Sequence, residues 1–94
     1  MAIPIVRKDD EAVHGCWGGH KPAIASENVF IDGIPALRKG DAYFPHCCPG
    51  NDCHSGNANG TSTVFINGKP AQKIGDPVTC GSIMIQGSPS VFIM

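Results

Sequence analysis

Residues 29–41 read Val-Phe-Ile-Asp-Gly-Ile-Pro-Ala-Leu-Arg-Lys-Gly-Asp, and residues 64–76 read Val-Phe-Ile-Asn-Gly-Lys-Pro-Ala-Gln-Lys-Ile-Gly-Asp. Eight of these 13 positions are identical. Val-Phe-Ile favours a β-strand, and Asp-Gly and Asn-Gly are the dipeptides of a type I′ turn. Pro can open the return strand, and the closing Gly-Asp favours a side-chain-capped turn. Each copy is therefore predicted to be a β-hairpin.

A third copy of this unit is divided between the two termini. Residues 91–94 read Val-Phe-Ile-Met, which is the first half of the unit. Residues 3–10 read Ile-Pro-Ile-Val-Arg-Lys-Asp-Asp and match residues 34–41 at five of eight positions. We expect the strand at 91–94 to pair with the strand at 3–7, so that three units surround a pseudo-threefold axis. Such a closed ring needs no capping repeats.

Composition limits the class of protein. The 94 residues fit one small domain, and 12 Gly with 8 Pro and no sustained 3.6-residue periodicity predict an all-β fold with little or no helix. The net charge of −1 and the unclustered basic residues argue against nucleic-acid binding. The N-terminus lacks the features of a signal peptide. We expect a chain made in the cytoplasm, exported by another route and carrying no fused toxin.

All nine Cys and His residues fall in the connectors between units, at residues 11–28, 42–63 and 77–90. His14 and Cys80 each lie four residues after the closing Asp of their unit, and His46 lies five after its own. A threefold axis would bring these three side chains together at an apex. Thiolate and imidazole ligands favour zinc first and iron second. The odd number of cysteines without a signal peptide indicates thiolate or metal use before disulfides.

The fourth ligand of a tetrahedral site is predicted to be His20, because its loop is short and folds back through Gly18 and Gly19; His54 and then Cys48 are the alternatives. The competing interpretation is that the cysteines are small buried side chains and the histidines are loop residues. Vicinal Cys47 and Cys48 cannot easily ligate one ion together, so one is buried or the pair is redox-active or binds a second metal. Trp17 is either a loop anchor or a contact residue.

Four protein ligands would close the metal site, whereas a catalytic zinc keeps one position open. A hydrolase would need His46 beside Cys47 or Cys48, together with an orienting group and a substrate cleft. A chain this short leaves little room for such a cleft. We therefore expect no enzymatic activity, and the rival functions are a stand-alone zinc-binding adaptor and a cysteine-based redox module.

The segments Pro35-Ala36-Leu37-Arg38 with Gly40-Asp41, and Pro70-Ala71-Gln72-Lys73 with Gly75-Asp76, resemble the Pro-Ala-Ala-Arg motif of PAAR-repeat proteins. The resemblance covers nearly the whole chain, so residues 1–94 are expected to form a single PAAR-type domain. Neither copy has the full four-letter motif, since the third position is Leu37 or Gln72. Both copies still contain the strand residues and the turn dipeptide that predict a β-hairpin.

The resemblance implies a small cone of three pseudo-symmetric hairpin repeats whose long loops meet at a metal-bound apex. PAAR proteins cap a trimeric β-helical spike in type VI secretion systems and contractile phage tails, where they help to puncture the target envelope and can dock effectors. The implied partner is therefore such a spike, with one copy of this chain per trimer and transient passage through a target membrane. The implied cofactor is one Zn²⁺ bound by His14, His20, His46 and Cys80.

Overall fold

The computed structural model describes residues 2–14, 17–47 and 53–93, with the backbone alone at residues 17 and 18. Short strands account for the regular structure of these ranges, and no helix occurs in them. The strands are β1 (Ile3–Pro4), β2 (Ala12–His14), β3 (Trp17–His20), β4 (Phe30–Ile31), β5 (Ile34–Pro35), β6 (His46–Cys47), β7 (Cys53–His54), β8 (Phe65–Ile66), β9 (Lys69–Pro70), β10 (Ile83–Met84) and β11 (Phe92–Ile93). The predicted all-β class is confirmed.

The two complete repeats are β-hairpins, as the sequence predicts. Strand β4 pairs with β5, and β8 pairs with β9, each across a two-residue turn. Asp32 and Asn67 both have φ of 54°, and the following Gly33 and Gly68 have φ of 79° and 77°. Positive φ at both central residues defines the type I′ turn, so the Asp-Gly and Asn-Gly dipeptides act as expected.

The third hairpin is assembled from the two ends of the chain. Strand β1 pairs with β11, and Ile3 lies opposite Ile93 while Pro4 lies opposite Phe92. This register is the same as that of β4 with β5, where Ile31 faces Ile34. The predicted pairing of the termini is therefore confirmed.

Backbone hydrogen bonds join the three units into a closed ring. Val6 N–H donates to Gln72 O at 2.8 Å, Gln72 N–H donates to Leu37 O at 3.3 Å, and Leu37 N–H donates to Val6 O at 3.2 Å. These residues occupy the same position in the three units, and all three side chains are fully buried. Gln72 replaces an apolar residue there, and its side chain bonds to both backbone groups of Gly60. The ring is therefore pseudo-symmetric, with one polar member.

A carboxylate closes each unit. The closing aspartate accepts a hydrogen bond from the backbone N–H three residues earlier, at 2.8–2.9 Å, and also pairs with the basic side chain of that residue. The three pairs are Arg7 with Asp10, Arg38 with Asp41, and Lys73 with Asp76. The aspartate side chains therefore cap the turn that leads from each hairpin into its connector, because they accept hydrogen bonds from its backbone N–H groups.

The core has two layers. The hairpin layer comprises the buried residues Ile5, Ala36, Ile66, Ala71 and Ile93. The connector layer comprises Val6, Ala12, Leu37, Tyr43, Ala58, Val78 and Met84, and Cys80 packs against it. Three members of the connector layer follow their closing aspartates by two residues: Ala12, Tyr43 and Val78. The second layer thus anchors the start of every connector.

The connectors form two further sheets. One has the strand order β10-β2-β3, and the other is the pair β6-β7. In β10, Met84 is buried while Ile83 is exposed, so this strand has one face in the core. Within residues 2–14, 17–47 and 53–93, no helix is long and apolar enough to cross a bilayer.

Candidate metal centre

Each connector brings metal-ligating side chains to one cluster. The first supplies His14 at the end of β2 and His20 at the end of β3, and the second supplies the facing pair His46 and His54 from β6 and β7. The third supplies Cys80, which is a free thiol beside the connector layer of the core. We call these five residues the His/Cys cluster.

The ligand atoms of the cluster form two overlapping groups. His20, His46 and Cys80 bring one donor atom each to within 4.8 Å of one another, and His14, His46 and His54 do the same. His46 belongs to both groups. The first group contains three of the four residues predicted from the sequence. The fourth, His14, lies in the second group beside His54, which was the first alternative.

Several ring nitrogens in this cluster are buried without a partner. Among the residues that the structure describes, these are Nδ1 of His20, both ring nitrogens of His46 and Nε2 of His54. His20 and His46 are only 6% and 4% exposed. Because a buried polar atom without a hydrogen bond costs about 1–3 kcal/mol, such atoms call for a ligand. A metal ion would satisfy them.

Hydrogen bonds orient two of the rings for ligation. The Nε2 of His14 lies 3.0 Å from the carbonyl oxygen of Cys80, so Nε2 carries the proton of this ring. The Nε2 of His20 lies 2.6 Å from the hydroxyl of Ser82. The same hydroxyl lies 3.4 Å from the sulfur of Cys80. The hydroxyl of Ser82 therefore contacts both a candidate imidazole ligand and the candidate thiol ligand.

The electrostatics of the cluster keep its buried histidines neutral. Burial, followed by the neighbouring imidazoles of His46, His14 and His54, lowers the pKa of His20 to about 4. Burial also lowers the pKa of His46, with His54 and His14 contributing. A neutral imidazole is the form that binds a metal. At neutral pH these two rings are therefore already neutral, and a cation does not have to displace the second proton of an imidazolium.

A disulfide closes the second connector beside the cluster. Cys47 and Cys53 lie directly opposite each other in β6 and β7, and they are bonded. The expectation that cysteines serve as thiolates before disulfides is wrong for this pair, because the register of the two strands brings the sulfurs together. The alternative fourth ligand Cys48 lies outside the described residues, and so does the side chain of Trp17.

An open groove of about 460 Å³ leads to the cluster from solvent. Its lining includes Glu11, Lys21 and Phe44, together with His20 and His46 of the cluster. The groove offers an ion a path to ligands that are otherwise buried.

Comparison with known families agrees with this architecture. The family model described as PAAR motif matches residues 23–86, which is most of the chain. The chain belongs to the PAAR-motif family. The match contains both complete hairpins, the second connector with His46 and His54, and Cys80 of the third connector.

Two curated relatives match part of this PAAR-motif chain. One is the NAD(P)(+) glycohydrolase toxin Tse6 of Pseudomonas aeruginosa strain PAO1, and the other is the (p)ppApp synthetase toxin Tas1 of P. aeruginosa strain UCBPP-PA14. Each is 34% identical over 74 residues, which cover 72% of this chain. The matched region is 17% of the length of each relative.

The residues present fit a transition-metal ion. The donors are imidazole nitrogens and a thiol, which suit zinc, copper or iron and not calcium or magnesium. Three ring nitrogens of His20 and His46 are buried with no competing partner in the described structure. The repeat spacing predicts His14, His46 and Cys80 as ligands, and all three lie in the cluster. His54, the first alternative to His20, lies in the cluster as well, because β6–β7 pairing places it opposite His46.

Proposed function

We propose that residues 1–94 form a PAAR-type domain that caps the end of a trimeric β-helical spike, with one copy per trimer. The spike belongs to a type VI secretion system or a contractile phage tail, and the domain forms its metal-stabilised tip. In this role the chain is made in the cytoplasm, is assembled onto the spike and is carried out of the cell across a target envelope. The domain is structural and not catalytic.

The observation that supports this role most strongly is a threefold set of exposed aromatic side chains. Phe30, Phe65 and Phe92 occupy the same position in the three hairpins, and they are 55%, 61% and 48% exposed. Exposed aromatic groups at equivalent positions are costly unless a partner covers them. A single pseudo-threefold chain can present them to the three equivalent chains of a trimer. We call this surface the base.

The metal part of the proposal assigns one Zn²⁺ to His14, His20, His46 and Cys80. When bound, the ion supplies cross-linking between the three connectors. His14 and His20 come from the first connector, His46 from the second and Cys80 from the third, so that all three connectors are tied at one point. Small domains commonly need a staple of this kind.

The two toxin relatives support a further part of the role, which is the carriage of a toxic cargo. Their names describe enzymes, yet the region shared with this chain is only 17% of each. We propose that this shared region serves delivery in all three proteins.

The test is binding to a trimeric β-helical spike protein from the same genome, measured by native mass spectrometry and by calorimetry. We expect one chain per trimer. Phe30→Asp should weaken binding by about 2 kcal/mol, or near thirtyfold, because it places a charge in the apolar contact. Phe44 provides a matched control, since it is 54% exposed but lies in the groove beside His46. Phe44→Asp should leave the affinity unchanged.

Three chains per trimer, or equal effects of the two substitutions, would contradict the proposed docking. A stand-alone zinc-binding adaptor would bind metal yet ignore the spike. A redox module would show thiol-dependent activity, which the tip role does not require.

A further inference from the structure

The turn residue of each complete hairpin docks in a polar notch on the neighbouring unit. In the first notch, Asp32 accepts hydrogen bonds from the hydroxyls of Ser88 and Ser90, and from Nη1 of Arg7 at 3.2 Å. Arg7 belongs to the unit formed by the two chain ends, and the two serines lie just before its strand β11. These hydroxyls and then the charge of Arg7 lower the pKa of Asp32, so the first notch stabilises a carboxylate.

The second notch has the same construction and holds an amide. Asn67 accepts hydrogen bonds from the hydroxyl of Ser26 at 2.7 Å and from Nη1 of Arg38 at 3.1 Å. Its amide nitrogen donates to Oδ1 of Asn28 at 2.8 Å. Ser26 and Asn28 stand at the same distance before their repeat strand as the two serines of the first notch. Each notch therefore combines one basic side chain with two polar ones, and it receives the first turn residue of the next hairpin.

A third notch of the same kind lies on the unit of residues 64–76. Thr61 and Thr63 occupy the repeat positions of the two hydroxyl groups of the first notch, and Lys73 occupies that of its arginine. The ammonium of Lys73 donates to Asp76 and to the carbonyl oxygen of Thr61, which leaves one of its three N–H groups without an acceptor in the described ranges. Both threonines are exposed, and the described residues offer neither hydroxyl a hydrogen-bond partner.

The repeat supplies no polar turn residue to the third notch. Its neighbouring hairpin consists of β1 and β11, which come from opposite ends of the chain, so no Asp-Gly or Asn-Gly dipeptide joins them. The repeat position of Asp32 and Asn67 falls on Met94, which lies outside the described residues. A methionine thioether is only a weak hydrogen-bond acceptor. The donors of the third notch therefore suit a ligand that comes from elsewhere.

We propose that Thr61, Thr63 and Lys73 form a carboxylate-binding site, and that its occupant is an aspartate or glutamate side chain of the spike. One ammonium and two hydroxyls match the charge and the two oxygens of a carboxylate, as the first notch shows for its own aspartate. The site receives the residue two positions after Phe92, so about 7 Å of chain at most separates it from the base. The inference rests on the proposed function for the source of the carboxylate and not for the site itself.

The site is tested first in the chain alone, by calorimetric unfolding at low salt. Met94→Asp places a carboxylate at the repeat position of Asp32, and it should raise the melting temperature by about 2–4 °C. The gain should fall by at least half in the background Thr61→Val/Thr63→Val, which removes both hydroxyls and keeps the side-chain shape. Thr79→Val is the control background, because this exposed threonine lies in the third connector, and it should keep the gain. No gain, or equal gains in both backgrounds, would overturn the site.

The occupant is tested by measuring the affinity for the trimeric spike. Thr61→Val/Thr63→Val should weaken binding by about tenfold, and Thr79→Val should leave it unchanged. Met94→Asp should also weaken it, because a carboxylate of the chain itself then competes for the notch. These differences should shrink at high salt, which screens an exposed charge pair. Equal affinities of wild type and the double threonine variant would overturn the spike as the source of the carboxylate.

Two further outcomes separate this inference from its alternatives. If the spike does not bind the chain at all, the proposed function fails, and the stability gain of Met94→Asp still decides whether the notch binds a carboxylate. Adding a glycine after Met94 tests a terminal carboxylate as the occupant. If this addition lowers the melting temperature of the wild type but not of Thr61→Val/Thr63→Val, the assignment to the spike is wrong.

Discussion

The protonation of His20 affects the stability of the whole domain. Its ring is buried, its Nε2 contacts Ser82, and its pKa is lowered to about 4 by burial and by the neighbouring histidines. In the unfolded chain a histidine has a pKa of about 6.5. Between these values the unfolded state binds a proton that the folded state does not, so stability falls as pH falls.

We therefore predict that the metal-free protein loses stability as the pH falls from about 6.5 toward 4, and His46 should add to the loss. Urea unfolding in chelator at pH 7 and at pH 5 measures the change. His20→Asn should show a smaller difference between the two pH values, because one of the titrating groups is gone. A wild-type stability that is the same at both values would contradict the buried, neutral state of His20.

Cys80 and Ser82 should contribute to metal binding in different ways. Cys80→Ser replaces a thiolate ligand by a poor one, and it should abolish stoichiometric zinc and lower the melting temperature. Ser82→Ala removes the hydroxyl that contacts His20 and Cys80, and it should weaken zinc by about 10–100-fold without removing a ligand. Competition with a chromophoric chelator measures both. Equal affinity of Cys80→Ser and wild type would show that this thiol is not a ligand.

At the scale of elements, the hairpin β6–β7 positions two candidate metal ligands. It consists of two residue pairs, with His46 opposite His54 and Cys47 opposite Cys53. Both cysteines are exposed, so the disulfide is open to reductants. Two residue pairs form a very short ladder, and isolated hairpins are marginal even at greater length. The disulfide is therefore expected to hold the two histidines in place.

We predict that reduction of the Cys47–Cys53 bond weakens zinc binding by about tenfold or more, because His46 becomes free to move. The double variant Cys47→Ser/Cys53→Ser should behave like the reduced protein and should not respond to reductant. This variant also excludes binding of zinc by the released thiols. Unchanged affinity in the double variant would show that the connector layer alone positions His46.

The difference between hairpins and connectors explains what the sequence could predict. Residues 29–35 and 64–70 fold through local signals, since the turn dipeptide and the strand residues are adjacent. The spacing of ligand-type residues after each closing aspartate then predicts which connector positions the pseudo-threefold axis brings together. The β6–β7 register could not be derived in this way, because it lies in an insertion that has no counterpart in the other units. The disulfide and the close approach of His54 to His46 both depend on that register.

At the scale of the whole molecule, the ring is closed by pairing and not by a covalent link. Ile93 lies opposite Ile3 just as Ile31 lies opposite Ile34, but a turn joins only the second pair. A two-residue Asn-Gly link between Ile93 and Ile3 would therefore reproduce the turn of the other hairpins. New termini can then be placed at the turn between Asp32 and Gly33.

We predict that this circular permutant folds and binds zinc with a melting temperature within a few degrees of the parent. The reason is that each repeat contributes an equivalent hairpin to the ring. A permutant opened between Ala36 and Leu37 is the control, because both residues are fully buried and Leu37 bonds to both neighbouring units. It should not fold. Loss of zinc binding in the first permutant would mean that the unlinked pairing of β1 with β11 has a role which a turn-linked hairpin cannot replace.

The seam between β1 and β11 also determines how the domain bears mechanical load. Both chain ends leave the same edge of that short ladder, so tension applied between them opens its hydrogen bonds one after another. A force directed along the axis from the base instead compresses the ring, where the bonds among Val6, Leu37 and Gln72 share it. The fold should therefore resist being pushed far better than being pulled apart by its ends.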